Sequence, residues 1–160
     1  LEELLTRRWV YKMIKKILVA FDNGKKSHKA LEIATEIAKG CGAEIYIFTS
    51  VKMPKIVTSV ADQDMLKDLE DKSFDYFKSE LQDAEEKVKN QGVQVQTVIV
   101  KDSPGSAILR FAEKENIDLI AIGARNRGLI EGIMLGLGSV SNYVTQNARC
   151  PVLIIKDSKA

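Results

Sequence analysis

Two rhythms of hydrophobic residues alternate along this chain. Residues 17–21 (ILVAF) form a short unbroken apolar run, the mark of a strand buried on both faces. Residues 43–51 (AEIYIFTSV), 93–100 (VQVQTVIV), 118–123 and 150–156 (CPVLIIK) predict four further strands. The Gln/Val alternation of the third predicts one less buried face, as at a sheet edge. Between them the spacing turns helical. Ala30, Leu31, Ala34, Ile37 and Ala38 share one face, as do Leu66, Leu69, Phe74, Phe77, Leu81, Ala84 and Val88 of a long helix from about Asp62. Ile108, Leu109 and Ala112 form the apolar side of a third helix, and residues 138–148 predict the last.

Breakers stand where each rhythm changes. Asp22-Asn23-Gly24 ends the first strand, and Gly40 and Gly42 end the first helix. Pro54 starts a connection, and Gly92 stops the long helix. Ser103 is a candidate N-cap with Pro104 at the first helical position. Strict alternation of strand and helix implies an α/β fold, a parallel sheet wound on both faces by right-handed crossovers. Ligands of such sheets bind at the carboxyl ends of the strands, where the strand order reverses. If the first and fourth strands are neighbours there, Asp22 and Gly123 face one crevice.

The stretch from Asp118 to Tyr143 carries the candidate chemistry. An apolar strand passes into a run spaced by Gly123, Gly128, Gly132, Gly136 and Gly138, and then into Ser139-Val140-Ser141, which reads as a helix start. Glycine lets backbone approach a ligand, and the unpaired N–H groups of a helix start favour anions. The expected ligand is the phosphate chain of a nucleotide.

Composition narrows the alternatives. A chain of 160 residues with 45% hydrophobic and 29% charged content is expected to be one ordinary globular domain. With 24 basic against 22 acidic residues the net charge is +2, which lacks the basic excess of a nucleic-acid binder. One histidine and two cysteines, Cys41 and Cys150, make no metal-ligand set. Two unpaired thiols suit a reducing cytoplasm. No run of about 20 apolar residues spans a membrane, and no signal-peptide pattern is visible. Residues 1–12 (LEELLTRRWVYK) read as an N-terminal extension, peripheral or artificial, before a domain spanning 13–160. The apolar last strand, Val152 to Ile155, would lie on a sheet edge unless a symmetric partner, the extension or internal packing covers it.

Three segments resemble the universal stress protein family: KKILVAFDNGKKSHKALEIA, KDSPGSAILRFAEKENIDLIAIG and GSVSNYVTQNARCPVLIIK. The likeness covers Met13 to about Lys156. It implies a five-stranded, Rossmann-like sheet of order 3-2-1-4-5, a homodimer through Val152–Ile155, and, in one branch of the family, bound ATP with or without Mg²⁺. That branch carries Gly-x2-Gly-x9-Gly-Ser/Thr. Here Gly128, nine residues, Gly138 and Ser139 match, but Arg125 holds the place of the opening glycine. Counting instead from Gly123 puts Asn126 at the second glycine and Leu137 after Gly136. A two-residue insertion between Gly123 and Gly138 accounts for both, and Asn126 tolerates the left-handed turn better than most residues.

The resemblance implies roles for particular residues. Ala20 and Phe21 through their backbone, and Asp22, would line the pocket after the first strand, with Ser50 beside the adenine. Ile122 and Gly123 would approach the ribose and phosphates. Gly128, Gly138, Ser139, Val140 and Ser141 would bind phosphate, with Arg125 and Asn126 in the same loop. Each has a plainer reading. Asp22 is also a turn residue, Gly138-Ser139 also a helix start, and Arg125 and Arg127 also solvated loop arginines. His28 reads as a helix-surface residue, and Phe74 and Phe77 as core.

Other nucleotide motifs fail. Gly123-x4-Gly128 is followed by Leu129-Ile130 rather than the Lys-Ser/Thr of a Walker loop, and Ser141 stands where a dinucleotide fingerprint needs its last glycine. Without an evident general base in the loop, the expected activity is nucleotide binding with slow hydrolysis at most. A nucleotide-independent scaffold, a weak ATPase, and AMP or ADP in place of ATP are the alternatives.

Overall fold

β1 (Lys16–Ala20) runs through the middle of a five-stranded parallel sheet, flanked by β2 (Glu44–Ser50) and β4 (Leu119–Gly123). β3 (Val95–Val100) lies outside β2, and β5 (Val152–Ile155) outside β4, giving the order β3-β2-β1-β4-β5. The computed structural model describes residues 14–52, 55–124 and 139–156, with side-chain detail beginning at 58 and at 140 for the two helices that start at 55 and 139. Among the described residues, five helices join the strands: α1 (Lys25–Cys41), α2 (Lys55–Val60), α3 (Gln63–Lys89), α4 (Pro104–Lys114) and α5 (Ser139–Asn147).

The central strand explains the layering. Ile17, Leu18 and Val19 are all fully buried, so both faces of the sheet are covered, as an unbroken apolar run requires. Ile17, Val19, Ile45, Ile47, Leu119 and Ala121 pack with α1 (Ala30, Leu31, Ala34 and Ala38) and with Leu81, Ala84 and Val88 of α3. On the other face, Leu18, Tyr46, Phe48, Ile120 and Ile122 pack with Ala107, Ile108 and Ala112 of α4 and Val144 of α5. Register is strict: Ile17 stands opposite both Ile45 and Leu119, and Ala20 opposite both Phe48 and Ile122. β3 is an edge strand: Gln94 and Gln96 are exposed between buried Val93 and Val95, as the alternation predicts, while Thr97, on the face of the valines, is exposed too.

Helix ends follow local chemistry, with some departures from the sequence reading. Gly42 alone caps α1, at φ 69°, while Gly40 lies within the helix. Asp62 caps α3 by accepting the Met65 N–H at 2.8 Å. Ser103 precedes Pro104 at the start of α4, but its hydroxyl accepts from Lys52 Nζ instead of a backbone N–H. The apolar stripe of α3 is buried only at Leu81, Ala84 and Val88, and Phe74 and Phe77, expected in the core, are half-buried. Geometry is the reason: 27 helical residues span about 40 Å, whereas the longest strand, of 7 residues, spans about 23 Å. The first half of α3 therefore overshoots the sheet. α2, with six residues, is shorter than a periodic pattern can reveal.

Candidate functional site

The strand order reverses between β1 and β4. The chain leaves β1 for α1 on one face, and the next described helix after β4, α5, packs on the other. The carboxyl ends of β1 and β4 thus floor a crevice with a helix start on either side.

The β1–α1 turn is held from several directions. Ala20 is half-buried at the end of β1, and Phe21, 3% exposed, continues the pairing by donating its N–H to the Phe48 carbonyl at 2.8 Å. The Phe21 carbonyl accepts from Thr49 Oγ1 at 2.8 Å. Asp22 is exposed, and its Oδ1 accepts the Gly24 N–H at 2.9 Å, so the turn role expected of it is present. Asn23 takes a left-handed conformation, φ 60°. Its Nδ2 donates to Tyr76 Oη of α3 at 2.7 Å, and its Oδ1 lies 2.7 Å from His28 Nε2. The ring also meets Phe21 edge-on at 5.0 Å, so His28 is half-buried and structurally engaged rather than a surface residue.

Across the crevice, Ile122 is buried and Gly123 ends β4. Ala124 is also buried and donates its N–H to the Ile155 carbonyl at 2.8 Å. Its own carbonyl accepts from Lys26 Nζ of α1 at 2.5 Å. A Cβ on Gly123 would lie 2.6 Å from Lys26 Cβ, so only glycine lets α1 approach this closely. Ser139 opens α5, Val140 is half-buried in the second core, and Ser141 is 2% exposed. Arg125, Asn126, Arg127, Gly128 and Gly138 lie outside the described residues, as does the side chain of Ser139.

Ser50 sits at the end of β2 as expected, and its hydroxyl donates to the carbonyl of Asp102. Asp102 organises that corner. Its Oδ1 accepts the Ser103 N–H at 2.6 Å, and Oδ2 pairs with Arg110. The Ser103 N–H foremost, and then the Arg110 charge, hold its carboxyl below the usual carboxylate range. A hollow of about 340 Å³ opens between the starts of α4 and α5, lined by Ser103, Pro104, Gly105, Ser106, Val140 and Tyr143.

The structure thus brings Phe21, Asp22, Ile122 and Gly123 to one end of the sheet, with Ser50 at the neighbouring strand end. Sequence reasoning missed Lys26 and Tyr76. Both lie on helical faces whose spacing gives no sign that they reach back over a strand end. Among the described residues, no group of three His, Cys, Asp or Glu could hold a metal ion. No described helix is long and apolar enough to cross a membrane.

Known proteins share this architecture. The sequence model described as the universal stress protein family matches residues 13–156. Universal stress protein MJ0531 of Methanocaldococcus jannaschii is 34% identical over 153 residues, covering 92% of this chain and 85% of that protein. The solved structure of protein MJ0577, from the same organism, superposes with a TM-score of 0.78 at 24% identity, covering 92% of this chain and 99% of that one. A universal stress protein solved in complex with cAMP gives a TM-score of 0.69 at 22% identity, over 91% of this chain and 99% of that one. One from Archaeoglobus fulgidus solved with dAMP gives 0.62 at 23%, over 90% and 99%. At these identities the solved structures establish a shared fold.

Proposed function

Because the chain belongs to the universal stress protein family, we propose that it binds an adenine nucleotide, ATP foremost, in the crevice between the ends of β1 and β4. The observation that carries this reading is the β1–β4 reversal, which sets exposed Asp22 and Cβ-less Gly123 at one crevice with a helix start on each side. Two proteins of the same fold were solved with adenine nucleotides. The Gly128-x9-Gly138-Ser139 spacing resembles that of the family's ATP-binding branch, and this resemblance favours ATP, with or without Mg²⁺. In this reading Ala20, Phe21, Asp22 and Ser50 face the nucleoside. Ile122, Gly123, Arg125, Asn126, Gly128, Gly138, Ser139, Val140 and Ser141 belong to the phosphate side.

The protein acts as a nucleotide-responsive module, dimeric through β5 and placed in the cytoplasm, with hydrolysis slow at most. Mass spectrometry of small molecules released on denaturing the gently purified protein tests it, together with calorimetric titration with ATP. Released ATP or ADP, or saturable binding of added ATP, is the expected result. An empty extract with no binding at millimolar ATP and Mg²⁺ sinks the nucleotide reading and leaves a nucleotide-independent scaffold of the same fold.

A further inference from the structure

We propose that Tyr76 is a positioning residue for the nucleoside side of the crevice, acting through Asn23 on the turn that carries Asp22. The inference rests on the nucleotide reading above and deepens it by naming what holds that turn in place. The turn has two anchored ends. Before it, Phe21 is tied to β2 through the Phe48 carbonyl and through Thr49 Oγ1, each at 2.8 Å. After it, the Gly24 carbonyl accepts the His28 N–H at 3.1 Å and Ser27 Oγ at 2.9 Å, which fastens it to the first turn of α1. Asp22 and Asn23 lie between.

Asn23 stands at φ 60°, a conformation that few residue types tolerate, and its amide is engaged at both ends. Oδ1 lies 2.7 Å from His28 Nε2, five positions on in the same turn and helix. Nδ2 donates to Tyr76 Oη at 2.7 Å, 53 positions away on α3. The first contact moves with α1, and the second ties the turn to a separate element.

The course of α3 brings Tyr76 there. Its buried residues are Leu81, Ala84 and Val88, and the half before them runs on past the strand ends. That half is also held beside the end of β3, where Lys101 Nζ lies 3.5 Å from Asp71, 3.8 Å from Glu70 and 5.6 Å from the centre of the Phe74 ring. The overhang thus meets two strand ends, β1 through Tyr76 and β3 through Lys101. Tyr76 is 52% exposed, so its hydrogen bond adds only modestly to global stability. What it restrains is the conformation of an exposed turn. A turn released from that restraint spends less time in the conformation a ligand needs, and apparent affinity falls by the fraction lost. AMP, ADP and ATP carry the same nucleoside, so the loss is common to all three.

The test is calorimetric titration of the wild type, Tyr76→Phe, Asn23→Gly and the double variant with AMP, ADP and ATP, beside urea unfolding of each protein. Tyr76→Phe deletes one hydroxyl at an exposed site and should weaken all three nucleotides by a common factor, about two- to tenfold. Asn23→Gly should weaken them at least as much, and the double variant no more than Asn23→Gly alone. Unchanged affinities in Tyr76→Phe overturn the assignment, and a lowered urea midpoint beside them leaves Tyr76 as a structural brace only. A loss graded with the number of phosphates, or a further loss in the double variant, also overturns it, because Tyr76 would then act by another route. Each of these outcomes leaves the nucleotide reading standing. A wild type that binds none of the three sinks that reading and this inference with it.

Discussion

Gly123 and Lys26 meet without room for one carbon atom between them: a methyl on Gly123 would sit 2.6 Å from Lys26 Cβ and 3.2 Å from its carbonyl carbon. The obstacle includes the backbone of α1 and cannot rotate away. Gly123→Ala must push α1 off the end of β4 and should cost about 1–3 kcal/mol, the range for overpacking a filled interior. Urea unfolding should show a lower midpoint with an unchanged slope. An unchanged midpoint would mean that the two elements separate freely.

Gly105 offers the contrasting case. A Cβ there would lie 2.7 Å from Tyr143 Cδ1, and Tyr143 is 45% exposed. The obstacle is a ring at the surface, able to swing into water. Gly105→Ala should therefore cost less than Gly123→Ala, and Tyr143→Ala should remove the penalty in the double variant. Thermal melts of the two singles and the double decide this, and a cost that persists without the ring would place the conflict elsewhere.

Asn23 ties the β1–α1 turn to α3. Its amide bridges Tyr76 Oη and His28 Nε2, each at 2.7 Å, while its backbone stands at φ 60°. Asn23→Gly keeps the left-handed conformation and deletes only the bridge, which makes it a cleaner probe than alanine. A double-mutant cycle of Asn23→Gly with Tyr76→Phe should return a coupling of about 0.5–1.5 kcal/mol. Zero coupling would mean that the overshooting half of α3 does not brace the turn.

The fold was legible because β1 is an unbroken apolar run and the helices between strands keep a 3.6-residue period, so a parallel, doubly wound sheet follows from pattern alone. Burial along α3 was less legible. Phe74 and Phe77 lie on the same stripe as Leu81, yet the stripe does not say that the helix outruns the strands. Of the candidate site, Asp22 and Gly123 announced themselves through turn chemistry and glycine spacing. Lys26 could not, because its contact with the end of β4 is to a carbonyl 98 positions away. Tyr76, likewise, meets Asn23 only through a separation of 53 residues. Contacts of that range are set by topology, which the local pattern fixes only after the sheet order is known.

β5, four residues long, presents Val152, Leu153 and Ile154 half-buried at the sheet edge, an apolar edge that a partner strand could pair. Under the dimer proposal, sedimentation should report a dimer at tens of micromolar (~) protein, and a lysine at Ile154 should shift it toward monomer. A wild type that sediments as a monomer throughout would remove β5 as the interface.

Asp102 gives the corner between β3 and α4 a pH signature. Its carboxyl is lowered first by the Ser103 N–H and then by Arg110, so its charged form is stabilised in the folded state. A group with a depressed folded value contributes stability that is present above its unfolded value, near 3.8. That contribution is lost as pH falls through the lower folded value. Asp102→Asn should therefore lower the urea midpoint at pH 7, and its gap from the wild type should close as the pH drops below about 4. Added salt should narrow the neutral-pH gap only in part, because the Ser103 N–H is a direct contact while the exposed Arg110 pair is screened. A gap of equal size at pH 7 and pH 3 would show that the side chain acts through its shape and not its charge.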